Sequence, residues 1–268
     1  RSMRRVFDIR DLRVYILEQF IYMNKHRFQV TSRSSIETPR RLMQRLYFHE
    51  ILDPVRQPGA HTRYLETLGR LVRTEGNARG SASNGCMAAW VPVFLTGRWP
   101  EIVTFWEMQG GWEGFGRRFD ATPDLFHEPL ERFYGERTGG FDRVLVAADY
   151  SIDRARLLAE GVRAPVVLQQ TIGLEAGGAS DYLARLGEAA ARIEGPGAPR
   201  LFGAYETALR NGSEALVLWA FDDFAALAAL QARPDAVSGW ADWARTARQH
   251  ERTHTGLVLR PADWSPLR

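Results

Sequence analysis

Apolar residues recur along this chain in two alternating rhythms, a strand rhythm of two and a helix rhythm of three to four. Leu46 to Val55 is rich in β-formers and is ended by Pro54 and a Pro58-Gly59 turn, which predicts a strand. From about Ala60 to Glu75 the period becomes helical. Tyr64, Leu65, Leu68, Leu71 and Val72 share one face, and Gly76 suits a C-terminal cap. Two strands follow, Cys86 to Thr96 and Glu101 to Met108, then helical segments over Gly111 to Phe119 and Leu125 to Tyr134, then a strand over Arg143 to Ala148. After a charged connector the same order returns. Strands are predicted over Val166 to Leu174, Arg200 to Ala208, Glu214 to Ala220 and Gly256 to Arg260, with an Asn211-Gly212 hairpin turn. Helices are predicted over Ser180 to Ile193, Asp223 to Gln231 and Ala236 to Gln249.

The two passes share words as well as rhythm. Glu101 to Trp106 and Glu214 to Trp219 both read Glu, four β-prone or apolar residues, Trp. Tyr64-Leu65-x-x-Leu68-Gly69 returns as Tyr182-Leu183-x-x-Leu186-Gly187, and Glu75-Gly76 as Glu194-Gly195. Pro123-Asp124 returns as Pro234-Asp235, Glu136-Arg137-Thr138 as Glu251-Arg252-Thr253, and Ala148-Asp149-Tyr150-Ser151 as Ala262-Asp263-Trp264-Ser265. The order is kept at an offset of roughly 115 residues, the signature of an internal repeat. The expected organisation is an N-terminal arm (1–45), module one (46–150), a connector (151–164) and module two (165–268). Leu12, Ile16, Phe20 and Met23 predict an amphipathic helix over Asp11 to Lys25 within the arm. Arg1-Ser2 ahead of Met3 reads as a cloning remnant.

Each module reads β-α-β-β-α-β, the ferredoxin-like order, an antiparallel sheet with helices on one face. The open sheet face needs a cover, and two modules in one chain can press open faces together. The expected fold class is therefore α+β: tandem ferredoxin-like modules closing into an intramolecular dimeric α+β barrel. The Glu-to-Trp strands, the Pro-Asp helix ends and the closing Ala-Asp-aromatic-Ser, with Trp264-Ser265-Pro266 at the end, resemble the dimeric α+β barrel superfamily and its NIPSNAP-type domain. The resemblance covers about 46 to 268 and is clearer in module two, because module one has a glycine-rich helix start at Gly110-Gly111, Gly114 and Gly116. It implies an apolar pocket between sheet and helices or inside the barrel. Superfamily members include cofactor-free monooxygenases, polyketide cyclases, haem-degrading enzymes, chlorite dismutases and aldoxime dehydratases, so the fold fixes little about the reaction.

Composition narrows the classes. The chain has 268 residues, 45% hydrophobic and 25% charged, with a net charge of +3 spread along it. Nucleic-acid binders cluster basic residues on a face or tail, so no nucleic-acid partner is expected. No apolar run approaches the ~20 residues of a membrane span, and no secretion signal opens the chain. The single Cys86 forms no intramolecular disulfide, and a cytoplasmic location is expected. A small-molecule substrate is the expected partner, with self-association into a homo-oligomer through the arm as a further option.

Candidate chemistry falls mainly in module one. His49 shares a strand face with Tyr47 and Ile51, opposite Phe48, Glu50 and Leu52; it reads as a hydrogen-bonded core histidine or as a general base in an apolar pocket. His61, Glu107 and His127 complete the candidate catalytic set. Glu107 points away from its neighbour Trp106 and has Ala220 as its counterpart, so the fold does not need it. Tyr64, Trp90, Trp106 and Trp112 are the candidate substrate-binding residues; Trp106 and Trp219 repeat and read as core, whereas Trp90 and Trp112 do not repeat. His250-Glu251-Arg252-Thr253-His254 spells H-E-x-x-H, which binds zinc only on a helix. Here a strand follows at once and no third ligand is indicated, so no metal is expected. Haem-binding members of the superfamily use a helical histidine below the pocket, which makes His127, His250 and His254 alternative haem ligands. The leading reading is a cofactor-free enzyme performing oxygenation, cyclisation or rearrangement on an apolar or aromatic metabolite. The alternatives are a haem enzyme with aldoxime dehydratase-like or peroxide chemistry, and a non-catalytic binding or scaffold protein.

Overall fold

The structure, a computed structural model, describes residues 44–74, 85–121 and 135–268. The helices expected over Asp11 to Lys25 and over Leu125 to Tyr134 lie outside these residues, as does His127. Eight strands form one closed ring: β1 (Leu46–Pro54), β2 (Gly85–Pro92), β3 (Ile102–Met108), β4 (Arg137–Ala147), β5 (Val166–Gly173), β6 (Arg200–Thr207), β7 (Glu214–Phe221) and β8 (Thr253–Pro261). Their order around the ring is β1-β3-β2-β8-β5-β7-β6-β4, and every ladder is antiparallel. The described helices are α1 (Ala60–Thr74), α2 (Gly111–Ala121), α3 (Arg154–Glu160), α4 (Ala179–Ala190), α5 (Phe224–Ala232) and α6 (Trp240–Ala247), with a 3-10 turn at Pro234–Ala236. This is the expected α+β barrel. Within each run of four strands the spatial order is fourth, first, third, second, the ferredoxin-like order.

Strand alternation sends one set of side chains into the ring and the other under the helices. Tyr47, Trp90, Phe105, Leu145, Val167, Tyr205, Leu216 and Leu259, one from each strand, belong to a single buried cluster that fills the barrel. Tyr47 stacks on Phe105 at 5.1 Å and meets Tyr205 edge-on at 5.2 Å. Leu168, Ile172, Val217 and Trp219 face outward and pack on Tyr182, Leu186, Leu230 and Trp240 of α4, α5 and α6. In the first half Leu52 and Ile102 pack on Tyr64 and Leu68 of α1. Cys86 is buried, and burial pushes its thiol up to about 12, as befits a core residue.

The Ala-Asp-aromatic-Ser words close the ring crosswise. Ser265 Oγ accepts the amide of Ala89 on β2 at 3.0 Å, and Ser151 Oγ accepts the amide of Ala204 on β6 at the same distance. The rings that precede these serines lie on helix glycines of the opposite half. A Cβ on Gly69 would come within 2.8 Å of Trp264, and one on Gly187 within 2.6 Å of Tyr150. Each half is thus fastened by the other's closing turn, and glycine recurs in α1 and α4 because a ring sits on the helix backbone there.

Local detail is added or corrected in three places. The connector at 151–164 contains α3, started by the Asp153 side chain on the amide of Arg156 and ended by left-handed Gly161. The helix expected over Ala236 to Gln249 is interrupted. Gly239, at φ 73°, separates the 3-10 turn from α6. The first-half strand expected from Arg143 begins at Arg137, because β1 offers partners back to Pro54.

Candidate functional site

The helix-facing side of β1 and β3 carries a polar cluster that burial would penalise if it were not paired. Glu50 lies opposite Thr104, and Phe48 opposite Trp106, in the β1–β3 ladder. Thr104 Oγ1 donates to Glu50 Oε2 at 2.5 Å, and Trp106 Nε1 donates to the same oxygen at 3.0 Å and to Thr104 Oγ1 at 2.8 Å. Burial raises the Glu50 carboxyl above its ordinary range. The negative charge of Asp142, its partner across the β1–β4 ladder, adds to the rise, while the bonds from Thr104 and Trp106 oppose it. Tyr64 of α1 sits in the same layer, and burial followed by the Glu50 charge raises its phenol as well.

The second half repeats this geometry without the acid. Gln170 lies opposite Val217, and Leu168 opposite Trp219, in the β5–β7 ladder. Trp219 Nε1 donates to Gln170 Oε1 at 2.9 Å. An amide thus stands where the first half has Glu50, and a methyl-bearing side chain where it has Thr104. Trp219 is fully buried and meets Trp240 edge-on at 5.1 Å, whereas Trp106 is partly exposed.

The candidates named from sequence fall in several places. Tyr64 and Trp106 lie with Glu50. His49 and Trp90 lie inside the barrel, both fully buried, and Trp90 packs against Phe105 at 6.0 Å. His49 Nε2 and Gln169 Oε1 are joined by a hydrogen bond of 2.8 Å. Burial, and then the charge of Arg143, pushes the imidazole down to about 4. Glu107 also points inward, accepting from Tyr47 Oη at 3.2 Å and from the amide of Arg154 at 2.8 Å. His61 is half-buried in the first turn of α1, where burial lowers its imidazole. Trp112 on α2 donates to Gln44 Oε1 at 3.3 Å.

The H-E-x-x-H segment leaves α6 and enters β8, so its histidines do not share a helix face. Glu251 instead accepts from Tyr182 Oη at 2.7 Å and pairs with His254 Nδ1 at 2.9 Å. Against burial, which raises it, these two bonds hold the carboxyl below its ordinary range. Among the described residues no group of three or more His, Cys, Asp or Glu side chains is placed to hold a metal ion. No described helix is long and apolar enough to cross a membrane.

Two surface cavities stand out. One, of about 390 Å³, is bounded by Val91 to Phe94, Trp99, Phe224 and Arg260. The other, of about 260 Å³, is bounded by Phe48, Asp142, Arg143 and Val144 of β1 and β4, by Thr207 at the end of β6 and by residues 208–210 of the β6–β7 turn. The second adjoins the acid cluster, since Phe48 shares a strand face with Glu50 and Asp142 is its cross-strand partner. Among the described residues neither cavity is bounded by a histidine.

Glu50 is the residue that sequence reasoning passed over. A carboxylate between Phe48 and Leu52 on a helix-facing strand was the available signal, together with its amide counterpart Gln170 opposite the repeated Trp219.

Comparison with known proteins supports the fold. No protein-family model matches the chain, and no curated protein matches it. Solved structures do. An anthrone oxidase-like protein superposes with a TM-score of 0.56 at 14% identity, over 82% of this chain and 92% of its own. A presumptive monooxygenase from Fusobacterium nucleatum gives 0.52 at 9% identity, over 81% and 92%. Another, from Lactobacillus acidophilus, gives 0.51 at 6% identity, over 81% and 94%. These are dimeric α+β barrel proteins, and the chain has their fold.

Proposed function

We propose that the ring is two tandem copies of one NIPSNAP-type module, 46–150 and 165–268 joined by 151–164, and that the first copy acts on a small apolar or aromatic molecule. The duplication is supported by the matched hydrogen bonds of Trp106 and Trp219, and by the crosswise seats of Trp264 on Gly69 and Tyr150 on Gly187. The catalytic reading is carried by one observation. The first half keeps a carboxyl with a raised pKa on the helix-facing side of the sheet, where the second half has an amide.

A raised carboxyl exchanges protons nearer neutral pH than a free glutamate does, and so serves as a general base or acid. Glu50 takes a proton from an acidic C–H or O–H of the substrate, and the resulting electron-rich conjugate base is what oxygenation, cyclisation and rearrangement each begin from. Thr104 and Trp106 orient the carboxylate; Trp106 and Tyr64 flank the substrate. His49, Glu107 and Trp90 hold the barrel in this reading. No resident cofactor is needed for the proton transfer. The structural neighbours described as anthrone oxidase-like and as monooxygenases fit such chemistry.

The test uses anthrone and related hydroxyaromatics as probes, with oxygen uptake and product absorbance as readouts. Glu50→Gln, which places the second half's amide in the first, is expected to fold normally and to lose about 10²- to 10⁴-fold in kcat. Full activity in that variant, or no saturable binding of any aromatic probe by the unaltered protein, sinks the reading.

A further inference from the structure

The cavity of about 260 Å³ sits where the ring parts. The β4–β6 ladder pairs Leu145 to Ala147 with Tyr205 to Thr207, and among the described residues β4 continues beyond it with β1 alone. At this seam three inward-facing polar side chains come together: Arg143 of β4, Thr207 of β6 and Glu214 of β7. Arg143 Nε lies 3.3 Å from Glu214 Oε1, an ion pair between largely buried groups, but without hydrogen-bond geometry. Among the described residues, Arg143 Nε and Nη1, Thr207 Oγ1 and Glu214 Oε1 are buried with no hydrogen-bond partner, so the three donors here outnumber the one unpartnered acceptor. Thr207 is only 2% exposed. Buried donors without partners are rare in folded proteins and mark places where an acceptor belongs. Arg143 and Thr207 both bound the cavity, and exposed Arg210 stands at its rim.

We propose that this seam binds the carboxylate of a small aromatic or apolar acid, with Arg143, Thr207 and Arg210 as its donors. The proposal rests on the reading of Glu50 as the proton-transfer group, since the same cavity runs up to that residue's strand face. The chemistry of the lining selects the ligand. Guanidinium and hydroxyl donors call for an acceptor, and a carboxylate matches a guanidinium fork. Arg143 and Arg210 stand against Glu214 and Asp142, so the anion is held by directed donors rather than by net charge, and Asp142 faces Glu50 across the ladder. Phe48, Val144 and Leu209 supply apolar wall for the body of the molecule. The volume lies just below the ~300 to 1,000 Å³ usual for ligand cavities, which suits a small metabolite.

The experiment compares 2-naphthoate with 2-naphthamide, a charged and a neutral ligand of one shape, by titration calorimetry. The unaltered protein is expected to bind the acid about 10- to 100-fold more tightly, the scale of hydrogen bonds to a charged group. Arg210→Gln and Thr207→Val each remove most of that preference, and Glu214→Gln, which frees Arg143, strengthens it. Arg210 is exposed, so its substitution leaves the fold intact. Equal binding of acid and amide, no binding of either, or a preference indifferent to Arg210→Gln and Thr207→Val overturns the proposal. Glu50→Gln separates the two readings. If it leaves the acid preference in place but does not slow turnover, the catalytic reading fails and the carboxylate seam stands. If it abolishes turnover while acid and amide bind alike, the reverse holds.

Discussion

The two halves of this barrel solve one packing problem with different chemistry. In both, a tryptophan at the same ladder position donates its indole N–H to the first strand of its half, Trp106 to Glu50 and Trp219 to Gln170. In the second half the layer is filled: Trp219 is sealed against Trp240, and the Thr104 position holds Val217. In the first half the acceptor is a carboxyl, a hydroxyl supports it, and Trp106 remains partly exposed. An amide satisfies an indole donor as well as a carboxylate does and carries no ionisation cost. Keeping the acid is therefore a burden on stability that packing does not require, and burdens of that kind collect at functional sites.

The largest expected effect follows from removing that difference. Glu50→Gln should lower turnover of an aromatic probe by about 10²- to 10⁴-fold. It should also alter stability in a definite direction. The native Glu50 carboxyl titrates above the unfolded value of 4.5, so its stabilising contribution is complete below that pH and is lost as pH rises through the native pKa. The variant should match the unaltered protein in acid and exceed it in alkaline solution, measured by urea midpoints across the pH range. A variant that is less stable at every pH would show that Glu50 is kept for structure.

A second comparison is between the two closures. Trp264 is half-buried on Gly69, while Tyr150 is 38% exposed on Gly187 and donates to Leu183 O at 2.8 Å. Trp264→Ala should cost about 3 kcal/mol, near the low end for large-to-small changes at a packed aromatic. Tyr150→Phe, which keeps the ring and removes only the hydrogen bond, should cost about 1 kcal/mol. Thermal unfolding of both variants checks the ratio. Equal costs would mean that the hydroxyl rather than the ring fastens that side.

How much of this was legible in the chain depends on distance along it. The strands and the shared words were readable because alternation and repetition are local or periodic signals. His49 was correctly placed on the face opposite Glu50 for the same reason. What could not be read is register: Glu50 meets Thr104 and Trp106 from 54 and 56 residues away. The same holds inside the barrel, where His49 and Gln169 meet across 120 residues. Helix α3 was passed over because only Leu157 in it is buried, which leaves no periodic stripe to detect. The interruption before α6 hinged on the left-handed Gly239, whose added Cβ would approach Arg192 O at 2.6 Å, a contact that sequence does not show.

The His49–Gln169 pair joins the halves at the barrel centre and gives a pH test of intermediate size. His49 is neutral in the native state, down to about pH 4, while its unfolded value is 6.5. Its contribution is therefore complete above 6.5 and is lost as pH falls toward 4. At pH 5 the loss amounts to about 2 kcal/mol. His49→Gln removes the titrating group and should flatten this part of the stability profile. An unchanged slope between pH 6.5 and 4 would assign the acid sensitivity to other groups.

The smallest expected effect is the most specific to the contrast between the halves. Thr104→Val copies Val217 and removes one of the two hydrogen bonds that hold the Glu50 carboxyl down, while leaving the Trp106 indole in place. The native pKa should rise, by up to about one unit if the bond is worth roughly 1.4 kcal/mol to the charged form. A general base that titrates higher shifts the acid limb of kcat to higher pH and leaves the plateau within about threefold, since the base itself is intact. A lost plateau with an unmoved limb would mean that Thr104 touches the substrate directly. A moved limb with a kept plateau would tie the limb to Glu50, because that carboxyl accepts the Thr104 hydroxyl.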